Sequence, residues 1–230
     1  MSDNWTQYFE CEIQDITDDD IVVKKYMYKD KTVTALPRDL PMPPTDIFVD
    51  MFAWCCQLRD ISALAHWDVS NVKDMCIMFN GCEQLQDITP LANWDVSNVR
   101  DMSGMFANCH QLQDITPLAN WDVSNVRDMS GMFIACHQLR DISALAHWDV
   151  SNVKTVQRMF QDCKQLKDIS DLANWDISSN VILGRTMFSN RVLTRTIVFL
   201  QEAKQRISEL QKENAELKAR LAYLEEKVGD

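Results

Sequence analysis

Glycine and proline are scarce: five and six residues in a chain of 230. So few leave little room for a flexible linker, which is built from such residues. Basic charge is scarce as well, with 23 Lys and Arg against 34 Asp and Glu and a net charge of -11. That balance argues against nucleic acid, because phosphate binding needs a basic stripe able to release counterions. No apolar run approaches a membrane span of ~20 residues; the most apolar stretch near the C-terminus, residues 197–200, is far shorter. The opening MSDNWTQYFECE is polar and acidic, unlike a secretory signal with a basic start and an apolar body. Glycine-rich phosphate loops, G-x-S-x-G, H-E-x-x-H and C-x-x-C are all missing. The chain therefore carries no signature of an enzyme, a cofactor site or a metal site.

What the chain has instead is a period. Tryptophans fall at 67, 94, 121, 148 and 175, cysteines at 55, 82, 109, 136 and 163, and leucines at 58, 85, 112, 139 and 166, each a step of 27 residues. The stretch WDVSNVRDMSGMFANCHQLQDITPLAN (94–120) is one full unit, and residues 84–106 match 111–133 letter for letter. A fixed period in this range marks a stack in which no unit can bury its apolar side alone. Within a unit Val99, Met102, Met105, Phe106, Cys109, Leu112, Ile115 and Leu118 recur mostly at steps of three. This spacing predicts short extended pieces and tight turns rather than long helices. A parallel strand is expected at LQDIT (112–116 and its copies), a second extended piece at NVRDM (98–102), and a helical turn over SGMFANC (103–109). Five cysteines belong to the period, so they read as a ladder of buried thiols, small and hydrophobic. With the acidic N-terminus this predicts a reducing compartment such as the cytoplasm.

Side chains repeated at one position also form surface files. Lys73, Arg100, Arg127 and Lys154 make a basic file beside Asp74, Asp101 and Asp128, expected to be a solvated ion-pair ladder; it is also how a repeat surface would read an extended partner. A second candidate file is Arg59, Gln86, Gln113, Arg140 and Lys167. Two acidic files, Asp68, Asp95, Asp122, Asp149 and Asp176, and Asp60, Asp87, Asp114, Asp141 and Asp168, need compensation, since like charges about 5 Å apart repel. Asx-type turns supply it through backbone N–H donors without calcium. The tryptophans are expected to stack and shield the core, and His66, His147, His110 and His137 to face solvent. An active site needs unlike residues converging on one point, whereas near-identical units multiply one surface.

The two ends do not repeat. Residues 1–44 read as an N-terminal cap, with IVVKKYMY (21–28) and KTVTAL (31–36) as a hairpin around Lys29-Asp30-Lys31, followed by the proline-rich LPRDLPMPP. Residues 191–200 read as a C-terminal cap. From Leu200 the period changes: Leu200, Ile207, Leu210, Asn214, Leu217, Leu221, Leu224 and Val228 form an a/d heptad seam, with Ala203 at one d position. Leucine at d and a single asparagine at a are the pattern of a two-stranded parallel coiled coil. Glu213 with Lys218 and Arg220 with Glu225 would pair across its flanks.

The combination WDVSNV and M-x-x-MF-x-x-C-x-x-L resembles the repeat of BspA-like leucine-rich-repeat surface proteins over residues 45–190. The resemblance implies a leucine-rich-repeat-type solenoid used for adhesion or protein binding, frequently at a surface. The expectation is an α+β repeat protein: a solenoid with short parallel strands (45–190), capped at both ends and joined to a coiled-coil helix (201–230). Its expected role is non-enzymatic protein binding by a parallel homodimer. The alternative is a structural part of a surface or viral particle anchored by the coiled coil.

Overall fold

The computed structural model describes residues 4–16, 21–175, 203 and 206–220. It is a repeat protein punctuated by regularly spaced 3-10 turns, with one C-terminal helix. The turns span Ser62–His66, Thr89–Leu91, Thr116–Leu118, Ser143–Leu145 and Ser170–Asn174, one per sequence unit. Successive units lie side by side, joined by parallel bridges Ile47 to Asp74, Asp74 to Asp101, Asp101 to Asp128 and Asp128 to Thr155.

The LQDIT segment is not a strand. Leu112 N–H turns back to the Cys109 carbonyl at 3.1 Å, Asp114 accepts the Thr116 N–H at 2.8 Å, and the 3-10 turn starts at Thr116. An aspartate two residues before a threonine satisfies the local backbone, and Pro117 then fixes φ and removes a donor. These local bonds win over a ladder. The parallel bridges between repeat units sit instead in the NVRDM piece. Across it, Arg100 N–H reaches the Lys73 carbonyl and Met75 N–H the Asp101 carbonyl, at 2.8 and 2.9 Å.

SGMFANC is a run of turns rather than a helical turn. The amides of Met105, Ala107 and Cys109 bond back three residues, while those of Gly104, Phe106 and Asn108 cross to the next unit at 2.7–2.9 Å. Alternating the two requires left-handed residues. They recur at 50, 77, 104, 131 and 158 and again at 54, 81, 108, 135 and 162. Glycine serves this need at Gly104, where φ is +61° and an added Cβ would lie 2.7 Å from Ile77 Cγ2.

Each unit sends the same apolar set inward. Phe52, Phe79, Phe106, Phe133 and Phe160 form a stacked column with centroids 5.5–5.8 Å apart and planes within 10°. The column belongs to phenylalanine, not tryptophan. Each buried indole instead reaches back to the neighbouring coil, as Trp94 Nε1 does to the Leu64 carbonyl and Trp121 Nε1 to the Leu91 carbonyl, both at 3.0 Å. The cysteines of the period are buried, and Cys82, Cys109, Cys136 and Cys163 donate to a phenylalanine carbonyl one coil back at 3.1–3.3 Å. Burial pushes the thiols upward, to about 11 for Cys55 and about 12 for Cys163.

The N-terminal hairpin is formed by β1 (Phe9–Ile16) and β2 (Ile21–Tyr28), paired antiparallel from Phe9 with Tyr28 to Ile16 with Ile21. IVVKKYMY is therefore a strand, but its partner precedes it. KTVTAL is not a strand; its Ala35 makes one parallel bridge to Asp60. Phe9 meets Phe52 and Trp67 edge-on or tilted, at 6.1 and 6.3 Å, so the hairpin covers the first coil of the core.

Residues 206–220 are helical, and every side chain there is exposed. Ile207, Leu210, Asn214 and Leu217 fall within it; Leu200, Leu221, Leu224, Val228 and the expected cap at 191–200 lie outside the described residues, as does Asp176. No helix among the described residues is long and apolar enough to cross a membrane.

Candidate functional site: a groove of cations and amides

The cation file starts from backbone geometry. In NVRDM the buried Val99 and Met102, three residues apart, leave Arg100 exposed between them. The chain-to-chain bonds run from Arg100 N–H to the Lys73 carbonyl, from Arg127 to Arg100 and from Lys154 to Arg127, all at 2.8 Å. They fix one cation directly above the next. Lys73, Arg100, Arg127 and Lys154 consequently line one groove of about 420 Å³, with Asn98, Asn125 and Asn152 as its remaining walls.

In WDVSN these asparagines read as groups that accept backbone N–H bonds within the turn, whereas the structure uses them between units. Their Nδ2 atoms donate to the carbonyls of Ser70, Ser97 and Ser124 one coil back, at 2.8 Å each. The bond sets the plane of every amide, and the Oδ1 atoms of these groove-lining residues accept no hydrogen bond among the described residues.

The expected ion-pair ladder does not form. Asp74, Asp101 and Asp128 each turn away to accept the backbone N–H two residues on, at 2.7–2.8 Å. Lys73 pairs with Asp46 at 2.7 Å. Arg100, Arg127 and Lys154 have no ion pair among the described residues. Local N–H donors outcompete a solvated cation for these half-buried carboxylates, because an unmet buried backbone donor costs more than an exposed ion pair returns.

Members of the second file, Arg59, Gln86, Gln113, Arg140 and Lys167, are exposed but do not join the groove. Gln113 lines a separate shallow hollow with Asp114, Thr116, Asp141 and Ser143, and Arg59 donates to Gln84 at 3.1 Å.

The acidic files are held as Asx turns. Asp68, Asp95, Asp122 and Asp149 accept the amide two residues on at 3.0–3.1 Å. Asp60, Asp87, Asp114, Asp141 and Asp168 do the same at 2.8–2.9 Å. Bonds from the Ser97, Thr116 and Ser151 hydroxyls, and then their amides, hold Asp95, Asp114 and Asp149 below the usual carboxylate value.

One departure from the repeat brings a thiol among carboxylates. Asp74, Cys76 and Asp101 place three potential metal-ligand atoms within 4.8 Å of one another. Ser103 donates to Cys76 Sγ at 3.1 Å, and burial pushes Cys76 to about 11. A metal held there would need that thiol deprotonated. His110 and His137 are half-buried rather than fully solvent-facing, stacked at 4.5 Å, with Glu83 3.9 Å from His110.

Stacked near-identical units, an apolar ladder on the inside and repeated polar files on the outside define a repeat protein. The chain belongs to the family described as "Mycoplasma protein of unknown function, DUF285", which it matches over residues 47–147 and 114–197 and whose repeats are related to the BspA-like leucine-rich type. No curated protein and no solved structure matches the chain.

Proposed function

We propose that this chain is a non-enzymatic binding scaffold: a short leucine-rich-type solenoid that holds a protein partner in its cation and amide groove. The supporting observation is that Arg100, Arg127 and Lys154 are aligned on one exposed face and lack ion-pair partners among the described residues. In a chain of net charge -11, three aligned and uncompensated cations are a local reversal of sign, and such reversals steer partner encounter and choice. Residues 201–230 then join two chains as a parallel coiled coil, so that two grooves act on one partner or assembly with avidity. The buried thiol ladder suits a reducing compartment, where the thiols persist.

The test is affinity capture with the full chain and two variants. Arg100→Glu with Arg127→Glu is expected to lose the captured partner, while Lys167→Glu, on the other file, keeps it. A partner held equally by all three proteins contradicts the reading.

A further inference from the structure

The groove also narrows the chemistry of what it holds; this step rests on the scaffold reading above. Its floor and walls carry two kinds of group. The cations offer donors only, and Arg presents a planar fork suited to carboxylates. The asparagines offer both kinds: Oδ1 accepts, and the N–H not bonded to serine donates. The phosphodiester backbone of DNA brings acceptors only and has nothing for the Oδ1 atoms. A peptide backbone has an N–H and a C=O at every residue and meets both.

Length argues the same way. Lys73 to Lys154 spans three inter-coil steps of ~4.8 Å, or about 14 Å. At ~3.3–3.6 Å per residue, an extended peptide crosses that distance in about four residues. Held in the extended polyproline-II form, two carboxylates three residues apart share one face and lie about 9 Å apart, which matches two coils and so joins Lys73 to Arg127 or Arg100 to Lys154. A longer polyanion would overrun the groove past Lys73 onto Asp46, which holds the same position one unit earlier.

The chain itself supplies a precedent. One unit before Lys73 the same position is Asp46, and its carboxylate sits 2.7 Å from Lys73 Nζ. The first cation of the file is thus already met by a carboxylate arriving from the neighbouring coil. The three that follow repeat the geometry without one.

We propose that the groove docks a short acidic peptide segment, extended along the stack, with carboxylates on Arg100, Arg127 and Lys154 and its backbone on Asn98, Asn125 and Asn152. The peptide is read by charge spacing and by main-chain hydrogen bonds together.

The test uses the full chain and fluorescence anisotropy with three labelled probes: hexaglutamate, hexaglutamine and an oligothymidylate of six nucleotides. Hexaglutamate is expected to bind in low salt and to weaken as salt rises, with hexaglutamine showing no binding. Arg100→Gln with Arg127→Gln should weaken it about ten-fold, as loss of two exposed ion pairs implies. Asn125→Leu should weaken it with all four cations intact, which simple charge attraction would not produce. Both variants alter exposed side chains, and an unchanged melting temperature verifies their fold. Equal binding of hexaglutamate and hexaglutamine, tighter binding of the oligonucleotide, or an inert Asn125→Leu overturns the proposal. If hexaglutamate fails while partner capture still depends on Arg100 and Arg127, the acidic-peptide inference falls and the scaffold reading stands. If capture is also indifferent to those arginines, both fall.

Discussion

The repeat array and the C-terminal helix treat apolar side chains in opposite ways. In the array, Phe79, Met102, Phe106 and Leu112 have no exposed surface, because each coil covers the one before. In the helix, Ile207 is 56%, Leu210 46% and Leu217 66% exposed. The array completes itself with copies of its own unit inside one chain. The helix carries a seam of the same kind of residue without a neighbour among the described residues to cover it. Burial on that scale in one region and exposure in the other separates a self-sufficient part from one that the proposed dimer would complete.

Core truncation should break the comparison most visibly. Phe106 stacks between Phe79 and Phe133, so Phe106→Ala should cost about 3–5 kcal/mol, read as a large fall in melting temperature. Leu217→Ala, on an exposed helix face, should leave the unfolding of the array in place. Equal losses from the two substitutions would mean that the helix is part of the array's core.

A backbone test is smaller. Gly104 is left-handed and lies under Ile77, so Gly104→Val should destabilise by about 1–2 kcal/mol through backbone strain alone, and more through the clash. The exposed helix position Ala215→Val should cost about half a kcal/mol of propensity at most, checked by denaturant titration of both variants.

Acid should act on the array gradually. Asp60, Asp68, Asp95, Asp114, Asp149 and Asp168 are held below the usual carboxylate value by hydrogen bonds from Ser62, Ser70, Ser97, Thr116, Ser151 and Ser170. A lowered folded-state value favours the ionised form, so their contribution is present above the unfolded value and is lost as pH falls through the folded one. Asp74, raised by burial, opposes them with the reverse sign. The six outnumber the one, and the melting temperature should decline below about pH 4. A flat profile down to pH 2.5 (a value chosen for the test) would show that the turn bonds carry little stability.

Much of this was legible in the sequence, for stated reasons. A period of 27 residues fixes which side chains share a file, and so the buried cysteines, the buried tryptophans and the alignment of Lys73 with Arg100, Arg127 and Lys154. Steps of three do not distinguish a strand from a chain of turns. LQDIT therefore reads as extended, while Asp114 and Pro117 make it an Asx turn followed by a 3-10 turn. IVVKKYMY reads with KTVTAL rather than with FECEIQDI, because FECEIQDI carries its apolar residues beside acidic ones and its polarity hides its alternation. The ion-pair ladder was expected from proximity in sequence; the carboxylates bond to amides two residues away, which composition does not reveal. The asparagine walls of the groove were visible as letters but not as geometry, since their role depends on a serine carbonyl in another coil.

The proposed division into a self-completing array and a helix that needs a second copy is tested most directly by sedimentation equilibrium. The intact chain at tens of micromolar (a concentration chosen for the test) should sediment as a dimer. Leu210→Glu with Leu217→Glu, which places charge on the exposed seam, should sediment as a monomer with an unchanged array melting temperature. An intact chain that is monomeric under these conditions, or a double variant that remains dimeric, would contradict the account.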